Sequence, residues 1–490
     1  MKRRGPEASA PAGAADAAPL TIAGVPVTLA QVQARVAELL AAGEPGLHPG
    51  ELGPLVAACL ERAPLYLDAA RRFGTPQYLL EEDVLQRRAE RFCAAFATGV
   101  RPVHVHYAFK SNPTQPVVEA LARAGLAADC SSGLELELAL ACGFERIVLS
   151  GPAKTDEELD LALQHGHRVT VHLDSFGELE RLERLAAGAG SRVRAGIRVN
   201  TRAHGLWTKF GIPLDALPEL VRRAASAGHV QLAGVQFHLS WQRSAAGYAD
   251  TLAEVGQCLA ACAPAGGWHF VDIGGGYYPE DDEGVYPWMT ARGRLLALLG
   301  LAPADGPPAG WDGAYLLHTV APIEAMAARI LEACRTHLAP VEPVELWLEP
   351  GRYLANQAVH LLLRVADVKS DQVVITDGGT NLLGWERLES EHCPLINLTH
   401  PAPVQRRCRV YGSLCTPHDL WGYTCYASEV AVGDVLLLPA QGSYVQTLAQ
   451  RFIKPVCQTV VSDGAGGLRQ ALAAERFGDR YPALASTGGR

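Results

Sequence analysis

The sequence predicts an α/β protein in which a (β/α)8 barrel is followed by a smaller β-rich domain. Three observations carry this expectation. Eight short apolar runs lie between residues 104 and 352, and helical patterns fit between most of them. The helical stretches, such as TDEELDLALQHG (155–166) and PLDALPELVRRAASAG (213–228), open on a capping or first-turn residue and close on Gly. Beyond residue 353 the pattern changes to strands and turns with no long helix, as in HLLLRVADVK, QVVITDG, RRCRVYGSLC and GDVLLLPA.

The first run, His104 to Phe109, crowds β-branched and aromatic residues without helical period, so it reads as a buried strand that Lys110 ends. Ser111, Asn112 and Pro113 break it, and a helical pattern restarts over Gln115 to Ala124. Seven more runs follow: LAADCSS (126–132), RIVLSGP (146–152), RVTVHLDS (168–175), RAGIRVN (194–200), LAGVQFHLS (232–240), WHFVDIGGGY (268–277) and VELWLEPGR (344–352). Eight strands with helical crossovers over roughly 250 residues match a barrel of this type. The domain plan is then a disordered tail over 1–19 and a partly helical extension over 20–75, with an amphipathic helix in TLAQVQARVAELLAAG. The barrel takes 76–345, the β domain 346–465, and a loose tail 466–490.

Bulk properties narrow the classes. The 490 residues exceed what one core usually fills. Hydrophobic residues make up 48% and charged residues 19%, with no apolar run long enough to span a bilayer. A net charge of -9 argues against nucleic-acid binding. Twelve cysteines without a CxxC pair indicate neither a disulfide framework nor a zinc site, and fit a reducing cytoplasm. Residues 1–19 lack the apolar segment of a signal peptide.

In this fold the carboxyl ends of the strands carry the active site. Lys110 ends the first strand, Asp129 the second and His238 the sixth; Arg198 lies late in the fifth, Gly274, Gly275 and Gly276 follow the seventh, and Glu349 ends the eighth. Taken singly, a strand-end lysine is a solvated charge and a GGG run a tight turn; six such features on one face point to a site. Glycine backbone N–H groups can cradle a phosphate. A lysine across the mouth can carry an aldehyde cofactor as an imine, and a buried carboxylate can keep a pyridine nitrogen protonated. That combination describes pyridoxal phosphate.

From GTPQYLLEEDVL (74–85) to AQGSYVQTLAQRF (440–452) the chain also carries YAFKSN, DCSSGLELE, SGPAKTDEEL, GIRVN, FHLSWQ, DIGGGY, EPGRY and GSLCTPHD in order. This set resembles the fold-type III pyridoxal-phosphate decarboxylases, which include diaminopimelate and ornithine decarboxylases and share an alanine-racemase-like barrel. The resemblance implies that Lys110 forms the Schiff base, His238 stacks on the ring, Glu349 pairs with the ring nitrogen, and Gly274 to Gly276, Arg352 and Tyr444 hold the phosphate. Asp129, Glu135 and Arg198 fall near the cofactor, with Glu135 supporting the lysine or ring from behind. It also implies a homodimer with shared sites, in which Cys415 and Asp419 reach the partner's site. Arg352, Tyr353, Thr416, Asp419 and Tyr444 form the expected substrate contacts, and no metal is called for.

Three departures bear on substrate. The sixth strand runs into His238, Leu239, Ser240, Trp241, so the family's phosphate-binding serine is replaced by Trp241 or shifted to Ser240. Thr416 and Pro417 follow Cys415 where the family has an acidic residue, and DGGTNLLGWERLESEHCP (377–394) lacks the Arg-Pro pair that holds a distal carboxylate. Thr416, Trp385 and Arg387 are what the chain offers nearby. The CTPxD form resembles the branch working in siderophore-like specialised biosynthesis, so the expectation is a decarboxylase of another amino acid or an amino-acid conjugate, with diaminopimelate and ornithine poor substrates. The alternatives are a diaminopimelate decarboxylase of lysine biosynthesis, and a pyridoxal-phosphate carrier or catalytically silent paralogue. A carboxylate at the ring nitrogen favours decarboxylation, whereas an arginine there, as in the related racemases, discourages it.

Overall fold

The structure, a computed structural model, describes residues 20–22, 25–41, 44, 46–50, 52–97, 101–201, 208–280, 284–303, 306–311, 313–370, 372–384 and 394–482. The expected tail over 1–19, and the residues Trp385 and Arg387, lie outside the described residues. The chain divides into two compact units. The smaller gathers residues 1–46 and 287–308 and contains the hairpin Leu20–Ile22 and Val25–Val27 and the helices Leu29–Ala41 and Ala291–Leu298. The larger, residues 47–286 and 309–490, carries the barrel and the β domain.

All eight apolar runs form strands: β1 (Val103–Ala108), β2 (Ala127–Cys130), β3 (Ile147–Leu149), β4 (Val169–Leu173), β5 (Val193–Asn200), β6 (Val230–Gln236), β7 (Phe270–Asp272) and β8 (Glu345–Leu348). They lie parallel in chain order, with β8 beside β1 and β4 beside β5, so the barrel is closed. Most of their residues are buried on both faces, as parallel strands covered by helices must be. The helix Asp156–Gln164 starts on a capping box in which Thr155 and Glu158 satisfy each other's backbone N–H, and the helix Phe176–Ala189 stops at Gly190 in the left-handed region. Among the described residues no helix is long and apolar enough to cross a membrane.

The β domain is one nine-stranded sheet, and it corrects three expected boundaries. Gln77–Glu81 lies inside it, antiparallel to Val359–Ser370 and parallel to Gln458–Ser462, and takes no part in the barrel. QYLLE misleads because a fully buried strand before a helix looks the same in either sheet. Leu468–Leu472 pairs with Gln458–Ser462, so the domain continues into the stretch read as a loose tail. At the other junction β8, residues 345–348, is a barrel strand.

The helices Gly53–Glu61 and Ala63–Phe73 pack on this sheet through Val56, Tyr66, Ala69 and Ala70, against Leu79, Leu362 and Leu437. Beneath them the buried Glu81 carboxylate accepts from Tyr66 Oη at 2.8 Å, contacts His360 Nε2 at 2.7 Å and pairs with Arg62. These two helices therefore brace the larger unit, tying three of its segments through one carboxylate. Tyr66→Phe leaves that carboxylate one donor short. It is expected to lower stability by about 1–3 kcal/mol, read as a fall in Tm with cofactor affinity unchanged.

Candidate active site

At the end of β1 the chain tightens into a single turn over Phe109–Ser111, which lifts Lys110 over the barrel mouth with its side chain 32% exposed. Lys110 Nζ donates to Asp129 Oδ2 at 2.7 Å, and Ser150, at the end of β3, donates to the other Asp129 oxygen. Burial works against the Lys110 ammonium, but the charges of Asp129 and Glu349 outweigh it and hold its pKa above the ordinary lysine value. Glu135 stands behind this pair. Its backbone N–H is capped by Ser132 Oγ at 3.3 Å and its Oε2 accepts the Ser131 N–H at 2.7 Å, so it fixes the loop after β2 without lining the mouth.

Glu349 ends β8 at the bottom of the same opening, 1% exposed. Gln236 Nε2 lies 3.3 Å from both its oxygens, and His238 Nδ1 lies 3.4 Å from Oε2. Burial opposes the carboxylate charge, but the nearby His238 and the Lys110 ammonium outweigh it and hold its pKa below the usual carboxylate range. Its neighbour Asp272 moves the other way. Burial and the Glu349 charge raise its pKa strongly, so of the two Glu349 is the stronger acid. His238 is pushed down to about 4 by burial and is a neutral ring near pH 7. The Gly275 N–H donates to His238 Nδ1 at 3.2 Å, which places the proton of that neutral ring on Nε2.

The loop after β7 closes one side. A Cβ on Gly276 would lie 2.0 Å from the Leu239 carbonyl oxygen, one on Gly275 2.3 Å from that of Glu349, and one on Gly274 2.5 Å from that of Phe237. The loop thus passes against the ends of β6 and β8 where no side chain fits, with Gly276 at φ 97°. Beyond it the Arg352 guanidinium lies between the rings of Tyr278 and Tyr444, 5.2 and 5.1 Å from their centroids. Tyr444 comes from the β domain, and its N–H donates to the Ser111 carbonyl at 2.8 Å beside the lysine turn. Ser240 and Trp241 both border the opening, Trp241 at φ 51° and 51% exposed. Arg198 faces the same space, its guanidinium 4.2 Å over the Phe210 ring.

These groups enclose a cavity of about 600 Å³, within the range of small-molecule sites. Its residues fit pyridoxal phosphate. The cavity offers a reachable amine in Lys110, a buried carboxylate at the floor for a ring nitrogen, and a side-chain-free loop with Arg352 for a phosphate.

Two expected contacts need correction. Tyr353 is fully buried, its ring under Arg88 at 4.2 Å and 5.4 Å from Phe92, because the helical turn that brings Arg352 to the cavity turns the next residue into the core. Asp419 is also buried. It accepts from Thr380 N–H at 2.7 Å, Thr380 Oγ1 at 2.9 Å and Leu414 N–H at 2.6 Å, so it anchors the turn that bears Cys415 and is spent within its own chain. Cys415 is exposed and Thr416 half-buried on that turn, and neither lines the cavity. The structure adds Ser150, Lys209, Phe210 and Tyr278 to the lining. TKFGI (208–212), a cation beside an aromatic in the loop after the fifth strand, held a readable signal for two of them.

Residues 82–356 match the family described as pyridoxal-dependent decarboxylase, pyridoxal binding domain. Over 434 residues the chain is 31% identical to a diaminopimelate decarboxylase of Actinosynnema pretiosum subsp. auranticum, covering 84% of this chain and 90% of the relative. A diaminopimelate decarboxylase of Zymomonas mobilis is 27% identical over 429 residues, covering 83% and 91%. The crystal structure of diaminopimelate decarboxylase from M. jannaschii, in co-complex with L-lysine, superposes with a TM-score of 0.70 at 23% identity over 84% of this chain and 93% of that one. The lysine/ornithine decarboxylase of Vibrio vulnificus, complexed with putrescine, gives 0.64 at 20% identity over 82% and 99%. The solved structures share the barrel-plus-β-domain fold, and with the family match and the 31% identical relative the chain belongs to the fold-type III pyridoxal-phosphate-dependent amino-acid decarboxylases.

Proposed function

We propose that the chain removes the α-carboxylate of an amino diacid, with diaminopimelate the first candidate. The observation that carries this is the charge of the lining: Lys110, Arg198, Lys209 and Arg352 face the cavity, and Glu349 is the one carboxylate among the described lining residues. Arg352 and the glycine loop suit the cofactor phosphate, and Lys209 is left at the exposed side for a distal carboxylate. Ornithine and lysine lack that distal carboxylate and bring only a distal ammonium, so among the described lining residues they leave Lys209 without a counter-charge. The siderophore-like reading rests on CTPHD alone, and relatives named diaminopimelate decarboxylase favour the other branch. One observation keeps a larger conjugate as a second reading: the Arg-Pro pair and the acidic residue after Cys415 are both missing.

When bound, pyridoxal phosphate supplies the sink for the electron pair left by carbon dioxide. The chain's own residues do the rest. Lys110 would link the cofactor, Glu349 would pair with its ring nitrogen, and the neutral His238 ring would pack against it. Gly274 to Gly276, Ser240, Arg352 and Tyr444 hold the phosphate, while Arg198 supports the Glu349 side of the ring. The Cys415 thiol, exposed and outside its own cavity, suits proton delivery to the α-carbon in a partner's site, with Thr416 beside it. A self-complementary homodimer meets that need.

Three outcomes follow. A carbon dioxide release assay should show kcat/KM for diaminopimelate at least about tenfold above that for ornithine or lysine, and the reverse order would remove the amino-diacid reading. Glu349→Gln should lower kcat by at least about a hundredfold, since a neutral amide no longer holds the ring proton where negative charge develops; near-normal turnover would end its assigned role. Lys110→Ala and Cys415→Ala chains, each inactive alone, should regain activity when mixed, because one site in each mixed dimer is whole. No recovery despite demonstrated subunit exchange would contradict shared sites.

A further inference from the structure

Below the cavity the barrel interior holds a titratable side chain to which the reaction gives no task. His172, on β4, points inward at 0% exposure, and neither of its ring nitrogens has a hydrogen-bond partner. Nδ1 lies 4.0 Å from Asp272 Oδ2 and 4.0 Å from Glu349 Oε1. Asp272 Oδ2 is likewise without a partner, while its other oxygen accepts the Gly274 N–H at 2.8 Å. Three unmet polar atoms therefore meet directly beneath the carboxylate that faces the cavity, where leaving them unpaired is costly.

The surrounding packing fixes the ring in this place. A Cβ on Gly196 of β5 would come within 2.8 Å of His172 Cδ2, so the strand gives up a side chain to admit the ring. On the inner side Phe270 and Trp347 lie face to face at 3.7 Å, and their planes continue to His172 at 5.7 and 6.2 Å. An imidazole held edge-on to two carboxylates by an aromatic stack has its Nδ1 aimed and little freedom to turn away. A closure of about 1 Å brings it to hydrogen-bond distance.

We propose that His172 is a positioning residue that clamps the Asp272–Glu349 pair from below through Nδ1–H and aims Glu349 at the cofactor's ring nitrogen. The inference rests on the proposed pairing of Glu349 with that nitrogen. Burial pushes the His172 pKa down to about 3, so the ring is neutral and has one N–H to give. Of the two carboxyls below the cavity, Glu349 is held low and Asp272 high, which favours the carboxylate charge on Glu349, at the pyridine side.

The test compares affinity for pyridoxal phosphate with affinity for its carbon analogue lacking the ring nitrogen, in the full chain. The wild type should prefer pyridoxal phosphate. His172→Phe, which keeps the aromatic stack and removes the donor, should lower that preference at least about tenfold, with kcat reduced and KM little changed. His172→Asn, whose amide N–H stands near the Nδ1 position, should retain most of it, and His172→Gln, whose amide reaches toward Nε2, should not. A structural role alone would weaken both ligands equally. An unchanged preference in His172→Phe overturns the proposal; if that variant does not fold, equal preferences in the Asn and Gln variants do so. Glu349→Gln in the same assay separates the layers. If it too leaves the preference unchanged, the ring-nitrogen pairing itself fails, whereas a loss there without a loss in His172→Phe removes His172 alone.

Discussion

A carboxylate charge held at 1% exposure on the floor of the barrel, that of Glu349, is the constraint around which the site is arranged. A buried charge without an ion-pair partner is a heavy cost to a fold. Here Gln236 offers a weak donor at 3.3 Å, and the pKa of Asp272 next to it is raised by burial and by the Glu349 charge. Lys110 contributes from across the mouth, already engaged with Asp129 at 2.7 Å. What remains is a carboxylate kept ionised and turned toward a cavity, the perturbed group in a cleft that marks function more than stability.

The same constraint explains why strand ends are so poor in side chains here. To bring β6, β7 and β8 together around Glu349, the loop after β7 passes so close to three neighbouring carbonyls that no Cβ fits, and three glycines in a row are the residues that permit it. The β domain completes the wall, since Tyr444 reaches in from it and is tied to the Ser111 carbonyl at 2.8 Å. The Gln77–Glu81 strand is built into that sheet and feeds directly into the helix Glu82–Phe96 that precedes the barrel. Barrel and β domain thus share covalent continuity at both ends, and the Glu81 network with Tyr66 and His360 pins the joint.

For some residues the place along a strand is enough to locate them in the fold. Lys110, Asp129, His238 and Glu349 stand at strand ends, where polarity after an apolar run is visible in one dimension; Lys110, His238 and Glu349 line one cavity, and the buried Asp129 is bonded to Lys110. That place is not enough where a neighbour in space decides. QYLLE has the same buried-strand pattern whether it joins a barrel or an antiparallel sheet, and only long-range pairing to Val359–Ser370 separates them. Tyr353 follows Arg352 by one residue, yet a helical turn sends them to opposite sides. Asp419 reads as a reaching side chain because its partners, the Thr380 and Leu414 N–H groups and the Thr380 hydroxyl, lie elsewhere in the sequence with no local signature. His172 and Gln236 lie one layer below the strand ends, inside apolar runs, where a single polar residue looks like ordinary core.

The central claim is that Glu349 keeps the ring nitrogen of bound pyridoxal phosphate protonated. The 15N chemical shift of ring-labelled cofactor reports this directly. A protonated pyridinium signal in the wild-type protein near pH 7, lost in Glu349→Gln, is the predicted result. A neutral pyridine signal in the wild type would contradict the claim whatever the turnover.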